Sequence, residues 1–266
     1  MITLAFQHAK PLIGMVHLLP LPGSPGWGGS LGAVIEAALR DADVLADAGF
    51  DGLMIENFGD TPFLPDHVAP ETIASVAIVA DRLGTRIALP FGVNVLRNDA
   101  RAALAIAAVT GASFIRVNVH TGAMLTDQGW IEGRAHETLR ARATLQAEIA
   151  ICADVMVKHA LPPAGADLAQ IAADTFERGQ ADVLIVSGVA TGATTQRADI
   201  ETVKKAVPNA PVWIGSGLNS ANAAALLSVA DGAIVGSAIK ADGHASSATD
   251  PRRAAELVRA ARALPQ

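Results

Sequence analysis

The stretch PVWIGSGLNSANAAALLSVADGAIVGSAIK, residues 211–240, indicates the fold of the whole chain. Two short apolar runs within it, 212–214 and 233–235, have the length and the β-branched content of strands. The alanine-rich piece between them, 220–229, has the length of a helix. The pattern therefore predicts a βαβ unit with a glycine-rich turn at the carboxyl end of both strands.

These two turns are candidates for binding an anion. Glycine lets the backbone approach a ligand closely, and the N–H groups of a turn and of the next helix start can face a negative charge. In a (β/α)8 barrel the loops after the seventh and eighth strands commonly hold a phosphate. The phosphate-binding residues predicted on this basis are Gly215, Ser216, Gly217, Leu218, Asn219, Gly236 and Ser237. The alternative is that small residues here only make tight turns.

Strand-like runs alternate with helix-period segments along the rest of the chain. The predicted strands are residues 12–18, 52–57, 87–95, 114–120, 151–159, 183–187, 212–215 and 233–236. The predicted helices are residues 32–48, 71–83, 99–109, 134–148, 166–177, 200–206, 220–229 and 251–264. Strict alternation favours a parallel sheet. Eight evenly spaced units favour one closed (β/α)8 or TIM barrel of the α/β class, a single domain over residues 1–266, rather than an open doubly wound sheet.

A local repeat supports closure of the barrel. Its four copies are DAGFDGLMI (47–55), VTGASFIRV (109–117), ERGQADVLIV (177–186) and SVADGAIV (228–235). In each copy a helix ends near a glycine or a small polar residue and the next strand begins at once. The copies precede only the even-numbered strands, which predicts a repeated (βα)2 unit.

Composition excludes several classes of protein. Of 266 residues, 51% are hydrophobic and 17% are charged, which excludes a disordered chain. The net charge of −6 argues against a nucleic-acid partner. The single Cys152 rules out a disulfide framework and a thiolate metal cluster, so a reducing cytoplasm is expected. No signal peptide and no apolar run of about 20 residues, the length of a membrane-spanning segment, is recognisable. The positive mean hydropathy predicts much buried surface and a homo-oligomer.

Polar side chains crowd the carboxyl ends of the predicted strands, where barrel enzymes keep their chemistry. They are His17, Glu56, Asn57, Asn94, Arg116, Asn118, His120, Asp154, Lys158, His159 and Ser187. Arg116, Asn118 and His120 are spaced by two, as are Asp154, Met156 and Lys158. Each triplet is therefore expected on one face of its strand, inside the barrel. The alternative is a buried network in which the charges only neutralise one another.

The residue types suggest roles. We interpret Glu56, Arg116, Asp154, Lys158 and His159 as catalytic residues, and His17, Asn57, Asn94, Asn118 and Ser187 as substrate-binding residues. Glu56 or Asp154 suits a general base, and His17, His120 and His159 suit proton carriers near neutral pH.

The role of Lys158 is left open between two kinds of chemistry. It suits an oxyanion stabiliser, or a Schiff-base amine if neighbouring cations depress its pKa. An adjacent carboxylate would oppose the Schiff base by keeping the amine charged.

A metal site is an alternative use of the same residues. His17, Glu56, Asp154 and His159 could gather a divalent metal, although their spacing is not that of a compact metal motif. No cofactor is therefore predicted, and a divalent metal is left open.

Eight strings distributed along the chain together resemble the BtpA/SgcQ family. They are IGMVHLLPLPGSP (13–25), IENFGDTPF (55–63), GVNVLRND (92–99), FIRVNV (114–119), TDQGWIEG (126–133), ADVMVKHA (153–160), VSGVATG (186–192) and IGSGLN (214–219). The resemblance implies a phosphate-binding TIM barrel, and either a catabolic enzyme linked to sugar or nucleoside use or a factor for photosystem I biogenesis at the thylakoid periphery. It puts Glu56, Asn57, Asp60, Asn94, Arg116, Asn118, Asp154, Lys158 and His159 at shared motif positions without assigning their roles.

Two functions follow as hypotheses. The first is an isomerase, lyase or hydrolase whose partner is a small phosphorylated substrate, a sugar or nucleoside phosphate. The second is a non-catalytic assembly factor for photosystem I. So many convergent acids and bases favour the enzyme, because a protein that only binds has no need of them.

Overall fold

Eight parallel strands close into a barrel in the computed structural model, which describes residues 1–188 and 190–263. The strands are β1 (Leu12–His17), β2 (Gly52–Glu56), β3 (Phe91–Asn94), β4 (Phe114–Val117), β5 (Ala123–Thr126), β6 (Gly129–Glu132), β7 (Ala150–Val155), β8 (Ala160–Leu161), β9 (Val183–Val186), β10 (Val212–Ile214) and β11 (Gly232–Val235). The barrel follows chain order through β1, β2, β3, β4, β7, β9, β10 and β11, and closes where β11 pairs with β1. The predicted (β/α)8 barrel is confirmed.

Helices cover the barrel on the outside. They are α1 (Leu31–Ala48), α2 (Pro70–Arg86), α3 (Ala100–Thr110), α4 (Ala135–Leu145), α5 (Leu168–Ala173), α6 (Arg197–Ala206), α7 (Ala223–Leu227) and α8 (Pro251–Arg262). A π-helical turn, Asp174–Arg178, continues α5, and a 3-10 turn, Ser237–Ile239, follows β11. Several ends carry ordinary capping signals: Ser30 and Asp250 cap helix starts with their side chains, and Gly49 and Gly111 end helices with a left-handed backbone.

Some predicted boundaries are wrong because the backbone leaves regular structure early. The predicted strand 87–95 begins only at Phe91, since α2 continues to Arg86. The predicted strand 151–159 ends at Val155, because Met156 has a positive φ of 55°. The helix predicted over 134–148 ends at Leu145 for a similar reason, a φ of 50° at Gln146. The predicted end of the last helix, Leu264, lies outside the described residues.

The barrel interior is apolar at its amino-terminal end. Phe114, Trp213 and Met54 fill it, together with the buried thiol of Cys152. Phe6 from the amino-terminal segment closes this end, with its ring edge-on to Phe114 and Trp213 at centroid distances of 6.2 and 5.8 Å. Burial raises the pKa of the Cys152 thiol well above its usual value. The polar side chains inside the barrel, such as Glu56 and Arg116, lie at the opposite, carboxyl-terminal end.

The local repeat has a structural explanation. Asp51, Asp182 and Asp231 stand just before β2, β9 and β11, and each accepts a hydrogen bond from a backbone N–H of the strand before, at 2.7–2.9 Å. A cation completes each carboxylate's environment: Arg262, Arg142 and Lys204 respectively. In the remaining copy, 109–117, the Ser113 backbone N–H donates to the Phe91 backbone oxygen at 2.8 Å, with no carboxylate involved. The repeat therefore joins each even barrel strand to the odd strand before it.

A small antiparallel sheet at the barrel mouth has no counterpart in the predicted elements. Its order is β6-β5-β8, and β5 and β6 form a hairpin that turns at Asp127 and Gln128, with Gly129 opening β6 at a φ of 97°. The exposed Leu125, Trp130 and Leu161 are neighbours across it. Alternating apolar residues in AMLTDQGWIE were the sequence signal for this hairpin. None of the helices within the described residues is long and apolar enough to cross a membrane.

Candidate functional site

Side chains from six barrel strands and the loops after them converge at the carboxyl-terminal mouth. We call this set the polar cluster: His17, Glu56, Asn94, Arg116, Asn118, Asp154, Lys158 and Ser187. The structure thus brings together most of the residues that the sequence predicted for the site. Some of these side chains have all their hydrogen-bonding positions occupied by neighbours, and others keep an atom that could contact a ligand.

Asp154 is fully engaged. Arg116 donates to both of its carboxylate oxygens, at 2.8 and 2.9 Å, and both side chains are buried. Asn118 and Ser187 add hydrogen bonds at 3.0 and 3.1 Å. A carboxylate offers about four lone-pair sites, so these four donors leave Asp154 without a free one. Its geometry is that of a residue that holds Arg116 in place.

Glu56 is only partly engaged. Asn94 donates to its Oε2 at 2.6 Å, whereas its Oε1 lies 3.6 Å from His17 Nε2, too far for a hydrogen bond. His17 bonds through Nδ1 to the carbonyl oxygen of Ala245 at 2.7 Å and stacks on Phe58 at a centroid distance of 4.4 Å. Because a carbonyl can only accept, Nδ1 carries the proton and Nε2 has a free lone pair.

The protonation of His17 follows from its surroundings. Burial lowers the pKa of His17 to about 4, and the Glu56 carboxylate opposes this only in part. His17 is therefore neutral near pH 7. Two proton acceptors, His17 Nε2 and Glu56 Oε1, face the same small space, and a hydroxyl or amine group of a ligand could donate to either.

Lys158 lies in the loop after β7, and its amine has no ion-pair partner in the described part of the chain. Among the described residues, no carboxylate oxygen lies within 4.0 Å of its Nζ. Arg97 donates to the Lys158 backbone oxygen at 2.7 Å, which fixes this part of the loop. Burial first, and then the Arg116 cation, lower the pKa of Lys158. Arg97, which was not among the predicted site residues, borders the cluster.

Three predicted residues lie apart from the cluster. His159 Nε2 accepts a hydrogen bond from the Thr191 backbone at 3.0 Å, on the exposed side of the loop. Asn57 braces the loops after β2 and β3 by bonding to Asp60 and Leu96. His120 bonds to the Gly179 carbonyl at 2.8 Å, against the helical layer. The expectation that His120 shares the inner face with Arg116 is wrong, because β4 ends at Val117.

The alternative metal set does not assemble. Within residues 1–188 and 190–263, no three His, Cys, Asp or Glu side chains come together as a metal site requires. Of the four residues considered, only His17 and Glu56 are neighbours.

A second feature of the mouth is a cavity of about 480 Å³ at the ends of β10 and β11, which we call the glycine-lined cavity. It is lined by Gly192, Gly217, Asn219, Ser220, Ser237, Ala238, Gly243, Arg253, Glu256 and Leu257. Gly217 has a φ of 72°, and a Cβ there would lie 2.4 Å from the Ala193 oxygen. This turn therefore requires glycine, as the sequence indicated.

Three of the seven predicted phosphate residues line this cavity: Gly217, Asn219 and Ser237. Ser216 is occupied instead by bonds to Gly188 and Ala193, and the Leu218 side chain is buried in the core. Arg253, in the first turn of α8, and Gly192, in the loop after β9, were missed. No local motif marks them, because they reach the cavity only when the barrel closes.

The remaining two glycines connect the cavity to the polar cluster. A Cβ at Gly215 would lie 2.3 Å from Ser187 Oγ and 3.4 Å from Arg116 Nη2. A Cβ at Gly236 would lie 3.4 Å from His17 Cε1. The strand ends that carry the cavity thus pass directly beside the cluster, and a small ligand could reach both.

Comparisons with known proteins place the chain in a family. The model of the BtpA family matches residues 8–263. The photosystem I biogenesis protein BtpA of Synechocystis is 49% identical over 96% of this chain and 89% of that protein. A protein of Thermococcus kodakarensis is also 49% identical, over 97% of both chains. Thiamine phosphate pyrophosphorylase from Pyrococcus furiosus has the same fold, with a TM-score of 0.58 at 16% identity and 96% of both chains covered.

Proposed function

The chain belongs to the BtpA family, and on that premise we propose that it is an enzyme that acts on a small phosphorylated metabolite, a sugar or nucleoside phosphate. The observation that carries the proposal is the adjacency of the glycine-lined cavity to the polar cluster at one mouth of the barrel. A phosphate held in the cavity would present the rest of the substrate to the acids, bases and amine of the cluster.

The cavity has the groups that a phosphate needs. It lies after the seventh and eighth barrel strands, the usual phosphate position of this fold. Ser237 supplies a hydroxyl donor and Arg253 supplies a positive charge, whereas the Ser220 hydroxyl donates to Glu256 at 2.9 Å. The fold is shared with an enzyme whose name includes a phosphorylated compound, thiamine phosphate pyrophosphorylase.

Different residues of the polar cluster have different chemical roles in this proposal. Glu56 and His17 accept or return a proton, because both have a free lone pair facing the same space. Arg116, held by Asp154, stabilises negative charge that develops on the substrate. Isomerase, lyase and hydrolase reactions all use such proton transfers, so the cluster suits each of these three reaction classes.

The alternative is a factor for photosystem I biogenesis, as the Synechocystis relative is named. The identity to that relative, 49%, is matched by the identity to the protein of Thermococcus kodakarensis, so similarity alone does not single out the photosystem name. The convergent acids and bases of the polar cluster favour the metabolic role, because a protein that only binds has no need of them.

Ligand binding tests the proposal through the cavity. Sugar phosphates and nucleoside phosphates should raise the melting temperature, because they bind the folded state only. Ser237→Asp should abolish the effect by placing a negative charge beside the phosphate, whereas the neutral Ser237→Asn should retain most of it. Arg253→Gln should weaken binding about tenfold, the loss of one charge-assisted hydrogen bond. Arg252→Gln, a neighbouring exposed arginine outside the cavity, is the control.

Turnover is then measured with the ligands that bind. Glu56→Gln should leave phosphate binding intact and lower kcat by about 100-fold or more, as expected when a general base is removed. The proposal is wrong if no phosphorylated metabolite stabilises the wild-type protein, or if Ser237→Asp and Ser237→Asn bind equally well.

A further inference from the structure

The chain has five lysines, and they differ sharply in environment. Lys240 is fully buried and bonded to Asp41 and Thr249, Lys204 pairs with Asp231, and Lys10 bonds to a backbone carbonyl. Lys205 is exposed on α6. Lys158 alone stands beside the acids and bases of the barrel mouth.

We propose that the Lys158 amine forms a Schiff base with an aldehyde or ketone carbon of the substrate. The substrate class is thereby narrowed to phosphorylated compounds with a free carbonyl group, such as open-chain sugar phosphates. This inference rests on the proposed function above, because it uses the same site.

The contacts around Lys158 remove the main objection to a nucleophilic amine. A carboxylate paired with the amine would keep it protonated, yet no carboxylate oxygen among the described residues lies within 4.0 Å of Nζ. The two carboxylates whose charge favours a protonated amine are Glu56 and Asp154. Four donors hold Asp154, whereas Glu56 is held only through Oε2 and keeps Oε1 free to move a proton. The two cations near Lys158 are arginines, Arg116 and Arg97, which disfavour a further positive charge.

Burial and the Arg116 cation act in the same direction on the amine. Both lower the pKa of Lys158, so that the neutral, nucleophilic form is populated at a lower pH than for an exposed lysine. The lack of a carboxylate within 4.0 Å among the described residues and the lowered pKa both favour a nucleophilic amine at Lys158.

The chemical step balances without a further reactant. The Nζ lone pair attacks the carbonyl carbon, and the electron pair of the C=O bond moves to oxygen. The proton released from nitrogen passes through Glu56 to that oxygen, giving a carbinolamine. The remaining N–H proton then passes through Glu56 to the hydroxyl, which leaves as water with the electron pair of its C–O bond, and the nitrogen electron pair forms the C=N double bond. One carbonyl oxygen becomes one water, and nothing is oxidised or reduced.

The loop geometry connects this amine to the phosphate position. Lys158 is followed by His159, which bonds to Thr191. Thr191 is followed by Gly192, which lines the glycine-lined cavity. A short phosphorylated carbonyl compound could therefore place its phosphate in the cavity and its carbonyl carbon at Lys158.

Reductive trapping tests the inference on the full chain. The protein is incubated with dihydroxyacetone phosphate and sodium borohydride, and the modified peptide is identified by mass spectrometry. One adduct per chain is expected, at Lys158. Lys158→Arg, which keeps the charge but is not nucleophilic, should reduce trapping at least tenfold, with its melting temperature measured to confirm folding. Dihydroxyacetone without phosphate should label at least tenfold more slowly.

The outcomes separate the two proposals. Modification of Lys10, Lys204 or Lys205 with Lys158 unmodified overturns the Schiff base. If phosphorylated metabolites still raise the melting temperature in that case, the proposed function stands. Equal labelling of Lys158 by both probes, with no competition by inorganic phosphate, supports the Schiff base and contradicts the phosphate site.

Discussion

His17 couples the polar cluster to the stability of the protein. Its side chain is 8% exposed, and its pKa falls from 6.5 to about 4 on burial. Between these two values the unfolded chain takes up a proton that the folded chain does not. The contribution of His17 to stability is therefore complete above pH 6.5 and is lost as the pH falls toward 4, by about 1.4 kcal/mol per pH unit.

Replacement of His17 should flatten this dependence. His17→Asn keeps a donor to the Ala245 carbonyl but cannot take up a proton. Urea unfolding at pH 7 and pH 5 should show that wild type loses about 2 kcal/mol more than the variant over this interval. The same substitution at His136, whose side chain is 67% exposed, is the control. An equal loss in wild type and His17→Asn would contradict the assignment.

The two carboxylates of the polar cluster, Glu56 and Asp154, differ in a property that residue type does not predict, the number of hydrogen bonds that each accepts. From the sequence, Glu56 and Asp154 were equal candidates for the general base. The structure distinguishes them, since Asp154 accepts four hydrogen bonds and Glu56 keeps one oxygen free of any. Which oxygen is free depends on donors that stand tens of residues away in the chain.

At the scale of elements, the aspartates of the repeat hold neighbouring strands in register. Asp182 accepts from the backbone of Ile151 at 2.8 Å and of Ile2 at 2.5 Å, and it pairs with Arg142 at 2.6 Å. Asp182→Ala would leave these donors unsatisfied in a buried place.

We therefore expect Asp182→Ala to lower the free energy of unfolding by about 3 kcal/mol, the penalty for stranding buried donors. Phosphate binding should not change, since Asp182 precedes β9 and lies at the barrel end away from the mouth. Chemical denaturation and ligand titration measure both quantities. Asp47→Ala, on the exposed part of α1, should have little effect on either. A stability loss no larger than that of the control would show that the repeat does not join the strands.

At the scale of the whole molecule, the two ends of the barrel differ in composition: one is packed with apolar side chains and the other is lined with polar ones. The amino-terminal end is closed by Phe6 packed on Phe114 and Trp213, and the other end carries the polar cluster. Stability and ligand binding should therefore respond to different substitutions.

Phe6→Ala should lower the free energy of unfolding by about 2 kcal/mol, because half-buried aromatic contacts are lost. Phe6→Leu, which keeps apolar volume, should lower it less. Neither should change the affinity for phosphorylated ligands, as isothermal titration can show. A tenfold change in that affinity would mean that the two ends are coupled.

Much of the architecture was predictable because its causes are local. The predicted strand 52–57 and the predicted helix 71–83 are each recognisable from their own pattern of apolar residues. The turn at Gly217 is recognisable because its positive φ requires glycine. Predicted boundaries failed where the backbone turns left-handed, at Met156 after β7 and at Gln146 after α4, because no run of apolar residues announces such a turn.

The sequence by itself determined the alternation of strands and helices, the closure of the barrel and the position of the glycine-rich turns. Only the tertiary structure decided which polar residues meet. Arg116 and Asp154 are 38 positions apart, as are Glu56 and Asn94, yet each pair is in contact. It also placed Arg253 at the cavity and, among residues 1–188 and 190–263, left Lys158 without a carboxylate partner. The physical reason is that side chains at the ends of separate strands become neighbours only when the sheet closes into a barrel.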